Sequence, residues 1–472
     1  MQRKETNGAA GSIQLWGGLE CTVVRIGDGF RDEFTETGHR DRIEDLDRIA
    51  ALGIRTLRYP VLWESVSPDH PDQCDWRFAD ERLGRLQALG IEPIAGLVHH
   101  GSGPRYTDLL DPGFAEGLAQ HAARVAARYP HVRQFTPVNE PLTTARFSGL
   151  YGHWYPHRRD EASFLKMLAN ECRATVLAMQ AIRRTTPGAQ LVQTEDMGKI
   201  FSTGRLQYQA DYENERRWLA FDLLCGRVDR GHRFWRPLLD AGVSETDLMF
   251  FRDNPTPPDI IGVNHYLTSE RYLDHHWWNY PDHFHGGNGR DRYADAEAVR
   301  IPQLEDLVGP EARLREVWER YRIPMAVTEA HHGCTGDEQV RWVLDVWDAA
   351  CRVAADGVDL RAVTLWSLFG AVDWNSLLTE DNGFYEPGAF DIRHDPPAET
   401  FLAEAAREFA DSGVCAGTNA VAQGWWRRPD RFYEAPEVEG TPADVARREK
   451  PSPLRAKVSP AGHSQNQLLK QA

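Results

Sequence analysis

Short apolar runs alternate along this chain with longer stretches whose apolar residues recur at helical spacing, from about residue 12 to about residue 410. The runs have the length and composition of buried strands, and most are followed by an amphipathic stretch. The predicted strands cover residues 13–17, 54–59, 93–98, a run ending at 140, 190–193, 259–264, 325–328 and 362–366. Because each parallel strand needs a crossover helix, this alternation predicts an α/β fold, the (β/α)8 TIM barrel.

The stretches between the predicted strands have the signals of helices. Residues 41–52 carry apolar side chains at helical spacing and stop at Gly53, a residue suited to the position after a helix. The other predicted helices cover residues 80–89, 114–129, 161–185, 213–230, 311–321 and 338–356. An open, doubly wound sheet is the alternative fold, and the lack of a GxGxxG motif after the first strand disfavours it.

Composition divides the chain into three parts. Residues 1–11 are predicted to be a flexible N-terminus, and residues 12–411 form the barrel. Within the barrel, the polar, loop-rich stretch 269–302 is predicted to be an insertion over the barrel mouth. Residues 412–472 are predicted to be an extended or disordered tail, with Trp425 and Trp426 as candidates to pin part of it onto the barrel.

Two glutamates, Glu140 and Glu329, each close one of the predicted strands. A carboxylate is costly to bury, and the carboxyl ends of barrel strands meet at one rim, so the two side chains are expected to share a site. Either residue taken alone is also compatible with a structural salt bridge. Two facing carboxylates are the groups that glycoside hydrolysis requires.

Charge and cysteine usage restrict the partners and the compartment. The net charge is -16, from 54 Lys and Arg against 70 Asp and Glu, which argues against nucleic acid or an anionic membrane as partner and is compatible with a neutral substrate. The seven cysteines show no CxxC pair, so reduced thiols are expected. No apolar signal segment and no long apolar run is present, and a soluble, cytoplasmic protein is predicted.

Six short motifs follow one another in a familiar order. Residues 136–141 (Thr-Pro-Val-Asn-Glu-Pro) are similar to the signature T-x-N-E-P, and residues 328–333 (Thr-Glu-Ala-His-His-Gly) resemble T-E-N-G without its Asn. Further agreement lies at 57–63, 99–101, 262–266 and 366–368. With these motifs, most of residues 12–400 resembles glycoside hydrolase family 1, the retaining β-glycosidases.

The resemblance implies roles for particular residues and no cofactor. Glu329 would be the nucleophile and Glu140 the acid/base of a retaining hydrolysis that passes through a covalent glycosyl-enzyme. Arg58 and Tyr266 are expected to hold Glu329 ionised, and burial beside a negative charge is expected to raise the pKa of Glu140. The predicted substrate-binding residues are Arg58, His99, Asn139, Asn264, Tyr266, Trp366, Asp373 and Trp374.

Structural interpretations of the same residues remain open. Arg58 is suited to a structural ion pair, and His99 with its neighbour His100 to a strand cap. Asn264 and Tyr266 are also suited to ordinary packing at the rim.

Two positions depart from the family pattern. The glycone-holding Gln of Y-Q-x-E-G aligns with Val24, and the Glu of F-E-W aligns with the shorter Asp373. A valine cannot hydrogen-bond a hydroxyl, so a deoxy or otherwise modified sugar is expected in place of glucose.

No metal site is predicted. The two histidine groups, His331–His332 with Cys334 and His275–His276 with His283 and His285, do not match the spacing of a known zinc site.

Three functions are compatible with these residues. The first is a retaining β-glycosidase that hydrolyses a small soluble β-glycoside. The second is a glycosyl-transferring or catalytically altered barrel in sugar modification, since some divergent relatives are joined to sugar-nucleotide enzymes. The third is a non-catalytic carbohydrate-binding barrel. The sugar, the aglycone and the oligomeric state are not predicted.

Overall fold

The computed structural model describes residues 13–334, 336–412 and 423–432. Eight parallel strands, each hydrogen-bonded to the next along the chain and the last to the first, close into a barrel. This confirms the TIM barrel and excludes the open sheet. The barrel strands are β1 (Gln14–Gly18), β2 (Thr56–Pro60), β3 (Glu92–Gly96), β4 (Gln134–Thr136), β5 (Gln190–Asp196), β6 (Ile260–Asn264), β7 (Met325–Ala330) and β8 (Leu360–Leu365).

Helices cover the outside of the barrel in the order that the sequence predicts. Their apolar faces form one large core against the strands. The longer helices are Asp45–Ala51, Arg77–Leu89, Phe114–Arg128, Glu161–Thr185, Gln207–Arg216, Glu245–Asp253, Pro310–Tyr321, Gly336–Ala355 and Phe401–Ser412. Shorter helical segments are Glu33–Glu36, Trp63–Val66, Pro141–Ala145, Leu219–Leu224 and Trp235–Asp240.

The predicted boundaries differ most from the observed ones at three elements. The fourth strand ends at Thr136 and not at Glu140. The first predicted helix begins at Asp45 in place of 41. The predicted helix 213–230 is interrupted after Arg216, where Arg217 donates to Glu316 at 2.8 Å. That long-range contact prevails over local periodicity.

The stretch predicted as a loop-rich insertion contains a sheet. Its strands Arg271–Asp274, His285–Gly287 and Arg292–Glu297 join Ile200–Ser202 in one four-stranded sheet. Tyr280 and Phe284 pack under it with two alanines, which gives the insertion its own small core. The expectation of loops misses this sheet because its strands are short and only partly apolar.

The described part of the tail lies against the barrel. The indole of Trp425 donates to His332 at 2.8 Å, and that of Trp426 donates to Asp345 at 2.5 Å. Residues 1–11 and most of the predicted tail 412–472 lie outside the described residues. Within the described residues, six cysteines are free, and none of the helices is long and apolar enough to span a bilayer.

The interior of the barrel is closely packed around Gly262 in β6. A Cβ atom at this position would lie 2.6 Å from the hydroxyl of Thr328 and 2.7 Å from the methyl group of Thr194. Both contacts are shorter than van der Waals distances, so the barrel has no room for a side chain here.

We therefore expect Gly262→Ala to lower the free energy of unfolding by about 1–3 kcal/mol through overpacking. Gly84 is the matched control, because it lies within the helix Arg77–Leu89 with nothing near its Cβ position. Gly84→Ala is expected to stabilise the protein by up to about 1 kcal/mol. Urea denaturation measures both, and equal stability of the two variants would contradict the packing argument.

Candidate active site

A cavity of about 600 Å³ lies at the carboxyl ends of the barrel strands. Most of the polar residues that line its inner part are deeply buried, and four of them are glutamates. Among the lining residues are Glu20, His100, Glu140, Tyr266, Glu329, Trp366, Trp374 and Glu386. The two glutamates singled out from the sequence therefore face one space.

Glu140 lies between β4 and the helix Pro141–Ala145. Its φ of 45° is in the left-handed region, which a non-glycine residue adopts only when its surroundings impose it. Glu195 helps to hold the backbone in this conformation, because it accepts a hydrogen bond from the amide of Leu142 at 2.9 Å. The Asn264 amide donates to Oε1 of Glu140 at 2.5 Å. Burial, and then the charge of Glu329, raise the pKa of Glu140 well above its usual value, which favours the protonated form of its carboxyl.

Glu329, on β7, has an environment of opposite character. Nη1 of Arg58 donates to Oε1 at 2.7 Å, and the hydroxyl of Tyr266 donates to Oε2. Burial, and then the charge of Glu329, raise the pKa of Tyr266, so this phenol remains a donor. A guanidinium and a phenol both favour the ionised carboxylate. The donors around Glu329 thus favour its charged form, whereas the environment of Glu140 favours its protonated form.

Asn139 connects the two halves of the site. Its side-chain oxygen accepts from Nη2 of Arg58 at 2.6 Å and from the hydroxyl of Thr194 at 2.8 Å. These donors fix the side-chain orientation, because only the oxygen can accept them. The amide nitrogen then lies 3.3 Å from Nε2 of His100 and 3.4 Å from Nε2 of His99.

Histidines and tryptophans lie next to one another at the inner end of the site. His99 stacks on Trp366 with ring centroids 5.4 Å apart, and His100 lies 5.6 Å from the ring of Trp374. Burial lowers the pKa of His99 well below its usual value and that of His100 to about 3, so both rings are neutral. His100 lines the cavity although the predicted set includes only its neighbour.

The carboxylate of Asp373 has three hydrogen-bond partners within the protein. One oxygen accepts from Nη2 of Arg31 at 2.9 Å and from the amide of Asn382 at 3.0 Å, and the other accepts from the amide of Phe384 at 2.8 Å. Its carboxylate therefore holds the following turn. The predicted residues that do not themselves line the cavity are Arg58, His99, Asn139, Asn264 and Asp373. For Asp373, the physical reason is its own φ of 55°, at which the chain leaves the strand Ala371–Val372 and turns.

Val24, which aligns with the glycone-holding Gln of the family, is not among the residues that line the cavity. It packs with Phe147, Trp154 and Leu378 in a separate apolar cluster. Glu20, directly after β1, faces the cavity instead. Burial is the main cause that raises the pKa of Glu20 to about 7. The sequence carried this signal, since Glu20 follows a strand end as Glu140 and Glu329 do.

Glu386 carried no comparable signal. It belongs to the two-residue strand Tyr385–Glu386, which pairs with Ala371–Val372. Ala371 lies opposite Glu386, and both face the cavity. Such a short strand in an irregular segment has no periodicity from which to read side-chain direction.

Metal-ligating groups come together next to the four-stranded sheet of the insertion. Within the described residues, Asp274, His275 and His276 place one ligand atom each within 4.8 Å of the others. Nδ1 of His276 lies 2.9 Å from Asp274, and Nδ1 of His275 lies 2.8 Å from the hydroxyl of Thr203. None of the three lines the cavity.

Comparisons with known proteins agree with this geometry. The profile of the family described as Glycosyl hydrolase family 1 matches residues 32–386. The chain is similar to Beta-glucosidase 47 of Arabidopsis thaliana, with 22% identity over 79% of this chain and 76% of the relative. It is similar to Beta-glucosidase A of Thermotoga maritima, with 20% identity over 77% and 84%. The structure of the Thermotoga maritima β-glucosidase in complex with deoxynojirimycin superposes with a TM-score of 0.68 at 15% identity, over 84% of this chain and 97% of that one.

The charge of Glu329 contributes to the raised pKa of Glu140. We expect Glu329→Gln to lower the pKa of the Glu140 carboxyl, because the amide removes this charge. Infrared titration of the protonated carboxyl band measures the effect. Glu161→Gln, which changes an exposed carboxylate of the same cavity, is the control and should leave the band unchanged. An unaltered titration in Glu329→Gln would show that the two groups are not coupled.

Proposed function

The chain belongs to glycosyl hydrolase family 1, and from this premise we propose that it is a retaining β-glycosidase that hydrolyses a small soluble β-glycoside. The observation that carries the proposal is the pair of glutamates in one cavity, one beside an arginine and the other with a pKa raised by burial and by its neighbour's charge. Retaining hydrolysis needs this division, because one carboxyl must attack while the other supplies a proton.

In the first step, the Glu329 carboxylate attacks the anomeric carbon, and the bond from this carbon to the leaving oxygen breaks. The proton of Glu140 passes to that oxygen, so the aglycone leaves as a neutral alcohol. The sugar is then held as an ester of Glu329. Arg58 and Tyr266 keep the nucleophile in a single orientation through their hydrogen bonds to its two oxygens.

In the second step, Glu140 is a carboxylate and takes a proton from a water molecule. The oxygen of this water bonds to the anomeric carbon as the ester bond breaks, and Glu329 is released as a carboxylate. Two displacements at one carbon return the β configuration, which is the retaining outcome. Asn264 holds Glu140 through both steps by its hydrogen bond to Oε1.

The other inner residues are proposed to hold the sugar. The side-chain oxygen of Asn139 is occupied by Arg58 and Thr194. Its amide nitrogen, which lies 3.3 Å from Nε2 of His100 and 3.4 Å from Nε2 of His99, is the group proposed to donate to the 2-hydroxyl. Trp366 and Trp374 supply flat apolar faces for the C–H groups of the ring. His99, neutral and stacked on Trp366, is available to a further hydroxyl.

Aryl β-glycosides with a good leaving group test this function. We expect release of the phenol by the native protein, a loss of at least about 1,000-fold in Glu329→Gln, and a loss of about 100–10,000-fold in Glu140→Gln with a poor leaving group. The Glu140 variant should retain more activity as the leaving group improves, because proton donation then matters less. Glu161→Gln serves as the control variant.

A 2-fluoro glycoside should label Glu329, and peptide mapping identifies the labelled residue. A label on another residue would reassign the nucleophile. Sugar products joined to an added alcohol would indicate glycosyl transfer, and binding without turnover would favour a carbohydrate-binding role.

The pH dependence follows from the raised pKa of Glu140. Because the acid form donates the proton, kcat/KM should fall as pH rises through the pKa of Glu140 in the folded protein. The hydrogen bond from Asn264 lowers this pKa, so Asn264→Ala should move the alkaline limb to higher pH. The pH profiles of the two proteins measure the shift. If the alkaline limb of the profile stays in place, it does not reflect the titration of Glu140.

A further inference from the structure

The loop that follows Glu329 shapes part of the cavity. It runs from His331 to Cys334, between β7 and the helix Gly336–Ala355. His331 lines the cavity, and Nδ1 of its ring lies 3.1 Å from the carbonyl oxygen of Trp366, which lines the cavity as well. Because His331 is only two residues after Glu329, a displacement of this loop would move both the nucleophile and the wall beside it.

His332, the next residue of the loop, is enclosed by tryptophans. Its ring centroid lies 6.4 Å from that of Trp342, 6.0 Å from that of Trp425 and 5.4 Å from that of Trp426. Burial is the main cause that lowers the pKa of His332 to about 3, so the ring is neutral. Its Nε2 accepts a hydrogen bond from the indole of Trp425 at 2.8 Å, which is the kind of partner that a buried imidazole nitrogen needs.

Two of these tryptophans belong to a C-terminal stretch, residues 424–432, which we call the docked segment. It lies beyond the part of the chain that the family model matches. Trp426 is 2% exposed, and its ring lies 5.5 Å from that of Trp342. Glu338, Trp342 and Asp345 are spaced four and three residues apart, so one face of the helix Gly336–Ala355 receives the segment.

The charges of the docked segment are matched by its surroundings. Arg431 is 5% exposed and donates to the carbonyl of Val299 at 3.1 Å, in the insertion. Each of the three arginines of the segment has an acidic partner: Arg427 pairs with Asp345 at 3.0 Å, Arg428 with Glu338 at 2.6 Å and Arg431 with Glu305 at 2.7 Å. The segment therefore connects the helix after β7 with the insertion.

Trp425 is the residue of the docked segment at which these connections reach the loop. The guanidinium of Arg300, from the insertion, lies 4.3 Å from the centroid of its ring. Its backbone amide donates to Glu338 at 3.2 Å, and its indole donates to His332. One side chain thus contacts both the insertion and the loop that follows the nucleophile.

We propose that Trp425 is a positioning residue for the hydrolysis, because it holds the loop that follows Glu329 in the arrangement from which the nucleophile attacks. This inference rests on the proposed function. Trp425 does not line the cavity, so it acts through His332 and not on the sugar. Loops open locally more easily than barrel strands do, and a misplacement of about 1 Å can reduce a rate about 100-fold.

Covalent labelling measures the attack by Glu329 alone. The probe is 2,4-dinitrophenyl 2-deoxy-2-fluoro-β-D-glucoside, applied to the full-length protein. We expect Trp425→Ala to reduce the limiting rate of labelling about 10–100-fold, while the half-saturating concentration changes less than about threefold, since the residues proposed to hold the sugar are untouched. Trp425→Phe keeps a ring but removes the N–H donor, and we expect a loss of about 3–10-fold.

Trp318→Ala is the matched control. Trp318 is also partly buried and has a guanidinium over its ring, that of Arg322 at 5.4 Å, but it lies on the helix Pro310–Tyr321. We expect its labelling rate to stay within about twofold of that of the native protein, even where urea denaturation shows a similar loss of stability. If Trp425→Ala does not fold, Trp425→Phe takes its place in the comparison.

Hydrogen exchange tests the positioning without catalysis. Mass spectrometry of a peptide that contains residues 330–334 reports how often the backbone of the loop opens. We expect faster exchange of this peptide in Trp425→Ala than in the native protein, and unchanged exchange in Trp318→Ala.

A labelling rate in Trp425→Ala within about twofold of the native rate would overturn the proposal. An equal loss in Trp318→Ala would do the same, because general destabilisation would then explain it, and so would a change confined to the half-saturating concentration. Unchanged exchange of the loop would show that it is held without Trp425. Failure of the proposed function is a separate result, because the native protein would then not be labelled at Glu329, whatever the exchange shows.

Discussion

The buried contact between Arg58 and Glu329 is the interaction on which the rest of the site depends. Arg58 projects from β2, and its guanidinium donates to Glu329 and the carbonyl of Thr328 on β7 and to Asn139 beyond β4. A guanidinium that is 6% exposed must have partners, because leaving one buried charge unpaired costs several kcal/mol. The barrel can satisfy this requirement only by closing with these strands in register, so the charge pair and the closed sheet support each other.

The contact between Arg58 and Glu329 also makes the surroundings of the two catalytic candidates, Glu140 and Glu329, different. Arg58 and Tyr266 satisfy one carboxylate, and Glu140 is left with the amide of Asn264 and the field of Glu329. The two glutamates belong to the same type of residue, and both are buried. Their neighbours, and not their identity, give them the different environments on which the proposed mechanism relies.

The other acids near the cavity have partners of their own. Glu20 accepts hydrogen bonds from Thr22, Oε2 of Glu386 lies 3.8 Å from Nε2 of His331, and Asp373 holds a turn. A short hairpin and the turn after β1 thus bring further carboxyls to a cavity whose catalytic candidates lie at strand ends. Specificity can change in such a fold without disturbing the pair that reacts.

The sequence by itself determined the barrel, most of its strands and the positions of Glu140 and Glu329, because hydrophobic periodicity and strand ends are features of the local sequence. It did not determine which acids turn inward. Val24 and Asp373 occupy the expected places in the sequence, yet Glu20 and Glu386 reach the cavity, since side-chain direction there depends on a left-handed φ at Asp373 and on cross-strand pairing with Ala371. The four-stranded sheet of the insertion and the interruption of the predicted helix 213–230 likewise involve contacts between distant residues, which no local pattern records.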